Sequence, residues 1–159
     1  MKKEGVLLKT SYIVGNRKVV IVGAGYVGSS IAYALALRDI AREIVLIDIN
    51  KEKSMGEAQD RHGLPSMGTA DLYAGDYSDC ADSDLIVITA GRSRKPGETR
   101  LDLAAENTRI IRNVVDSIKQ YYTRGCVLII SNPVDILTQK VSEWMDVPNG
   151  MIFGSGCLL

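Results

Sequence analysis

The feature that most restricts how this chain can fold is a charge-free run, Val19 to Leu37, with glycines at 23, 25 and 28. In length it approaches the ~20 apolar residues that a membrane span requires. Its glycines, with Ser29 and Ser30, fall near the middle, so a strand, a glycine turn and a helix account for it better than one spanning helix. KVVIVG (18–23) supplies the strand, and Tyr26 to Arg38 supplies a helix with Val27, Ile31 and Leu35 on one face. No membrane partner is expected. The opening MKKEGVLLKT mixes Glu and Lys with a short apolar run and makes a poor secretion signal, so the cytoplasm is the expected location.

The same alternation continues down the chain. Further apolar runs are EIVLID (43–48), DLYAG (71–75), DLIVITAG (84–91), CVLIIS (126–131) and MIFG (151–154). Most are rich in Val, Ile and Leu with little alternation, as strands buried on both faces should be. Between them, Thr99 to Tyr122 carries Ala104, Thr108, Ile111, Val115, Ile118 and Tyr122 three and four residues apart, and Val134 to Trp144 reads as a shorter helix. Parallel strands need crossovers, so the expected fold is α/β, a doubly wound parallel sheet of about six strands in one domain. Residues 1–16 stand outside this pattern as an N-terminal extension.

Charge and cysteines narrow the partners. Lys plus Arg and Asp plus Glu each number 19, so there is no polyanion footprint and nucleic acid is not expected. Cys80, Cys126 and Cys157 are odd in number and far apart, with no CxxC spacing. They read as free thiols rather than a metal site.

Gly23, Gly25 and Gly28 form G-x-G-x-x-G directly after a strand and at the start of a helix. The first glycine permits a tight turn, the second lets a pyrophosphate approach the backbone, and the third lets helix and strand pack closely. The diphosphate then meets unpaired N–H groups at the positive end of the helix dipole. Asp48 ends the next strand at the spacing of about 20 residues where a carboxylate accepts hydrogen bonds from ribose hydroxyls. It would repel a 2′-phosphate, so NAD is favoured over NADP.

Taken with ITAGRSRKPGETRLDLAAENTRII, SNPVDILT and GSG, these blocks resemble the lactate/malate dehydrogenase family from about Arg17 to Gly156. The resemblance implies an NAD-binding Rossmann domain and interconversion of a 2-hydroxy acid with its 2-oxo acid. It places Tyr26 and Val27 in the cofactor turn, Thr89, Ala90 and Gly91 at a strand end beside the cofactor, and Asn107, Ser131, Asn132 and Ser155 among the cofactor contacts. Asn132 would also bond the substrate oxygen, and Arg100 would polarise the substrate carbonyl from a mobile loop. In the family the proton-transferring histidine and the carboxylate-binding arginine lie in a second half, beyond the end of this sequence. The domain 17–159 is therefore expected to precede a catalytic domain and to be inactive alone, and His62 in QDRHGLP is expected to be structural. Homo-oligomers, dimeric or tetrameric, are implied for the full-length protein, with Lys51 to His62 at the interface.

The loop GRSRKPGETR departs from the family at Arg92 and Ser93, where small residues or proline are commoner, and Cys157 replaces a threonine. Arg94 occupies the family's substrate-discriminating position. An arginine there pairs bidentately with a second carboxylate, so L-malate is the expected substrate, with L-lactate as the alternative. A non-catalytic NAD-binding module or pseudogene fragment is the alternative of another class.

Overall fold

A computed structural model describes residues 17–62 and 70–156. Six strands, β1 (Lys18–Val22), β2 (Glu43–Ile47), β3 (Asp71–Ala74), β4 (Leu85–Ile88), β5 (Cys126–Ile129) and β6 (Ile152–Gly154), form one sheet in the order β3-β2-β1-β4-β5-β6. Every pairing is parallel, with Val20 opposite Val45 on one side and Ile86 on the other. Four helices make four of the five crossovers: α1 (Tyr26–Leu37), α2 (Lys51–His62), α3 (Arg100–Ile118) and α4 (Val134–Trp144); β3 is joined to β4 without an α-helix. This is the Rossmann-like arrangement expected from the alternation. The run Val19 to Leu37 is a strand, a turn and a helix.

The pleat divides the core. Val20, Val22, Ile86, Ile88, Val127 and Ile129 pack with Ile111, Val115, Leu137 and Val141 of α3 and α4. Ile21, Ile44, Leu46 and Val87 face the other way, against Ala32 and Ala36 of α1. Each fully buried aliphatic side chain contributes about 1.5–3 kcal/mol. Such burial on both faces explains why the strands read as unbroken apolar runs.

Two helices differ from expectation. The face of α1 that meets the sheet is Gly28, Ser29, Ala32 and Ala36, whereas Val27 is 48% exposed. Small side chains let this helix lie close to the strands, while Ile31 and Leu35 pack only partly against its flank. Helix α3 stops at Ile118 rather than Tyr122. The Tyr122 hydroxyl donates to the Gly125 carbonyl at 2.6 Å and Gly125 has φ 97°, so the chain turns toward β5 there. A 3-10 turn, Tyr77–Cys80, stands between β3 and β4 where the sequence pattern marks no element; Asp76 and Asp79 cap it reciprocally.

A parallel sheet places ligands at the carboxyl ends of its strands, where the order reverses. Here that point lies between β1 and β4. Residues 1–16 and Cys157, which carried expectations above, lie outside the described residues, as does the side chain of His62.

Candidate functional site

The turn joining β1 to α1 is built by its glycines, each for a different reason. Gly23 has φ 111°, and a Cβ there would stand 2.7 Å from the Ala90 nitrogen. At Gly28 a Cβ would stand 1.9 Å from the Gly23 carbonyl oxygen, so helix and turn could not approach. Gly25 is unlike both: an added Cβ would meet nothing nearer than Lys53 Nζ at 3.9 Å. The fold does not itself require glycine at 25. The space is left for something that lies against the backbone.

Gly25 is also the N-cap of α1, and no side chain caps it. No acidic residue stands in the first turn, and Tyr26 is 90% exposed. The amide of Ser29 is the first to find its helical partner, the Gly25 carbonyl at 2.9 Å. The preceding N–H groups, with the positive end of the helix dipole, suit an anion.

Asp48, just past β2, has one carboxylate oxygen 2.8 Å from the Ala24 amide and the other 3.0 Å from the Asn50 amide. The first bond ties the end of β2 to the glycine turn. The sequence spacing anticipated a carboxylate here but gave no hint that it also braces the turn.

The strand ends beside the turn are tied together by short polar side chains. Thr89 donates to the Gly23 carbonyl at 2.9 Å, and Ser131 donates to the Ala90 carbonyl. Asn107, 2% exposed, reaches from α3. Its Oδ1 accepts the Arg92 amide at 3.0 Å, and its Nδ2 donates to the Asn132 carbonyl at 2.8 Å and to the Arg92 carbonyl at 3.3 Å. Replacing it by leucine keeps the bulk but leaves buried backbone groups unpaired. Asn107→Leu is expected to cost about 2–4 kcal/mol of stability, measured by urea unfolding.

Two clefts open onto this frame. One, about 490 Å³, lies between the first turn of α1 (Gly25, Tyr26, Val27 and Gly28) and the ends of β4 and β5, where Arg94, Ser131 and Asn132 line it. The other, about 300 Å³, holds Asp48, Ile49, Lys53 and Tyr77. They share Gly25, Thr89, Ala90, Gly91 and Arg92, so they meet at the glycine turn. That geometry fits a dinucleotide: two nucleoside halves on either side, and a diphosphate at the helix N-terminus. Arg100, the exposed first residue of α3, and Ser155, exposed after β6, line neither cleft. The remaining residues expected at a site are brought together. Arg92, shared by both clefts, was not selected from the sequence, and only its position inside a charged loop could have drawn attention to it.

Comparison with known proteins gives the same reading. Residues 17–154 match the family model described as lactate/malate dehydrogenase, NAD binding domain. An L-lactate dehydrogenase of Priestia megaterium is 49% identical over 96% of the chain and 48% of its own length. One from Thermoanaerobacter sp. (strain X514) is 50% identical over 89% of the chain and 46% of its own length. The solved structure of the minor L-lactate dehydrogenase from Enterococcus mundtii in the ligands-bound form superposes with a TM-score of 0.83. It is 42% identical, over 87% of this chain and 45% of that one. The chain spans about half the length of the curated relatives it matches.

The malate preference expected from Arg94 does not stand, because relatives at about this identity are named L-lactate dehydrogenases. The structure supplies the physical reason. Arg94 is exposed. Arg94 keeps its water in the ligand-free chain although it lines the larger cleft, so its residue type alone does not select a dicarboxylate.

Proposed function

The chain belongs to the lactate/malate dehydrogenase family, and from that premise we propose that it supplies the NAD-binding domain of an NAD-dependent L-lactate dehydrogenase, interconverting L-lactate and pyruvate. The observation that carries the NAD-binding part of this reading is the meeting of two clefts at Gly25, where nothing in the protein itself excludes a side chain; the choice of lactate rests on the names of relatives about 50% identical. NAD, when bound, would supply the acceptor and donor of hydride for the hydroxyl-bearing carbon. Asp48 would hold the adenosine ribose, and the amides of the first turn of α1 would receive the diphosphate. Thr89, Ala90, Gly91, Asn107 and Ser131 form the wall and frame on the nicotinamide side. Asn132 would accept or donate at the substrate oxygen, and Arg100, the first residue of α3 and outside both clefts, would stabilise negative charge on that oxygen after the start of α3 moves toward it together with the loop. Ser155, exposed after β6 and outside both clefts, would join the set only on the family resemblance. The acting protein is proposed to be a cytoplasmic homo-oligomer with α2 at its subunit interface.

The substrate is tested by joining the chain to the second half of the Priestia megaterium relative and assaying pyruvate and oxaloacetate with NADH. A higher kcat/KM for pyruvate is expected. A higher value for oxaloacetate would reverse the assignment.

A further inference from the structure

The segment between β4 and α3 is held at both ends before any ligand arrives. At its start the Arg92 backbone is bonded to Asn107 through both its amide and its carbonyl. At its end Thr99 caps α3: its Oγ1 accepts the Asp102 amide at 3.1 Å and its own amide donates to the Asp102 carboxylate at 3.2 Å. Between them, Lys95-Pro96-Gly97-Glu98 forms a hydrogen-bonded turn, with the Glu98 amide 3.2 Å from the Lys95 carbonyl and Gly97 at φ 80°. Proline then glycine is the sequence that such a turn demands.

What closes this segment is a charge pair across it. Arg92 Nη1 donates to one Glu98 carboxylate oxygen at 2.7 Å, and Nη2 donates to the other. The Lys95 amide donates to the same carboxylate at 3.0 Å. The pairing is bidentate and partly sheltered, the two side chains being 28% and 13% exposed. Bidentate geometry fixes orientation as well as distance, which one-point surface pairs do not. Three donors on one carboxylate account for its holding a proton only in strong acid, with its pKa lowered to about 2.

We propose that the Arg92–Glu98 pair is a clip that folds residues 92–98 into a closed ring and thereby preforms one wall of the cofactor cleft. Arg92 and Glu98 are positioning residues. They set the path of Ser93 and Arg94, which line the larger cleft, and they fix the lead into Arg100. The loop thus meets its ligand as a shaped flap hinged near its anchors, rather than as a free strap that must be ordered on binding. The wall's importance for NAD rests on the function proposed above; the ring itself does not.

Three variants of this chain, Arg92→Ala, Glu98→Gln and the double change, test the clip by amide hydrogen exchange without cofactor. Each single variant is expected to speed exchange across residues 93–98 about tenfold. The double variant should be no faster than either single one, because one interaction is lost once. Arg92→Lys, which keeps the charge but not the fork, should restore only part of the protection. The thermal midpoint should stay within about 2 °C, since the core is untouched. NADH should bind several-fold more weakly to each variant. Unchanged exchange at 93–98, or effects of the single variants that simply multiply, would overturn the clip. If instead exchange responds as expected while the unmutated chain binds no NADH, the clip stands and the proposed function fails.

Discussion

Gly28→Ala is expected to abolish measurable NADH binding and to destabilise the domain, whereas Gly25→Ala should abolish binding alone. The contrast follows from what each new methyl group would meet. At 28 it would lie 1.9 Å from the Gly23 carbonyl oxygen and 2.9 Å from Thr89 Oγ1. The first is backbone and cannot rotate away. Gly23 cannot yield either, because it is packed against the Ala90 nitrogen in a left-handed conformation that suits only glycine. Helix α1 must therefore lift from β1, opening the contact that Ala32 and Ala36 make with the sheet. Overpacking of this kind typically costs about 1–3 kcal/mol, and the backbone contact here puts Gly28→Ala at the upper end. At 25 the backbone is extended (φ −77°) and the nearest atom is the mobile end of Lys53. Stability there should change by less than about 1 kcal/mol, the usual range for an N-cap change. Urea unfolding and NADH fluorescence titration separate the two outcomes. A Gly25→Ala protein that binds NADH as tightly as the parent would remove the glycine turn from the site.

Asp48→Ala should weaken NADH by at least about tenfold and narrow the gap between NADH and NADPH, since a charged hydrogen bond to ribose is worth about 1.5–3 kcal/mol. The alanine variant also frees the Ala24 amide, which Asp48 accepts at 2.8 Å, so part of any loss would come from a loosened turn. Asp48→Asn distinguishes the two contributions. It keeps an oxygen for the Ala24 amide but removes the negative charge that repels a 2′-phosphate. NADPH should therefore gain on NADH in the asparagine variant, with the turn still braced. Loss of both nucleotides in parallel, with their ratio unchanged, would leave Asp48 as a brace and nothing more.

The parts of this molecule that were legible in the sequence are those encoded locally. Unbroken Val and Ile runs specify strands buried on both faces, and G-x-G-x-x-G followed by Asp48 specifies a turn and a carboxylate at a fixed spacing. Periodicity alone pointed to the flank of α1's buried face, where Ile31 and Leu35 pack in part, because close packing against a sheet favours Ala32 and Ala36 over the larger Val27. The bridging role of Asn107 could not be read, since it joins Arg92 to Asn132, positions 15 and 25 residues away along the chain. Nor could the Arg92–Glu98 pair, which spans six residues of loop and follows no helical or strand period. Arg94 illustrates a further limit. A residue type can suggest a substrate, but its exposure decides whether an unpaired charge costs anything.

The most direct measurement is a fluorescence titration of the unmutated chain with NADH and, separately, with NADPH. Saturable binding of NADH, with NADPH weaker by about tenfold or more, is expected from a diphosphate seated on α1 and a ribose held by Asp48. Equal affinity for the two nucleotides, or no saturable binding of NADH by a chain shown to be folded, would contradict it.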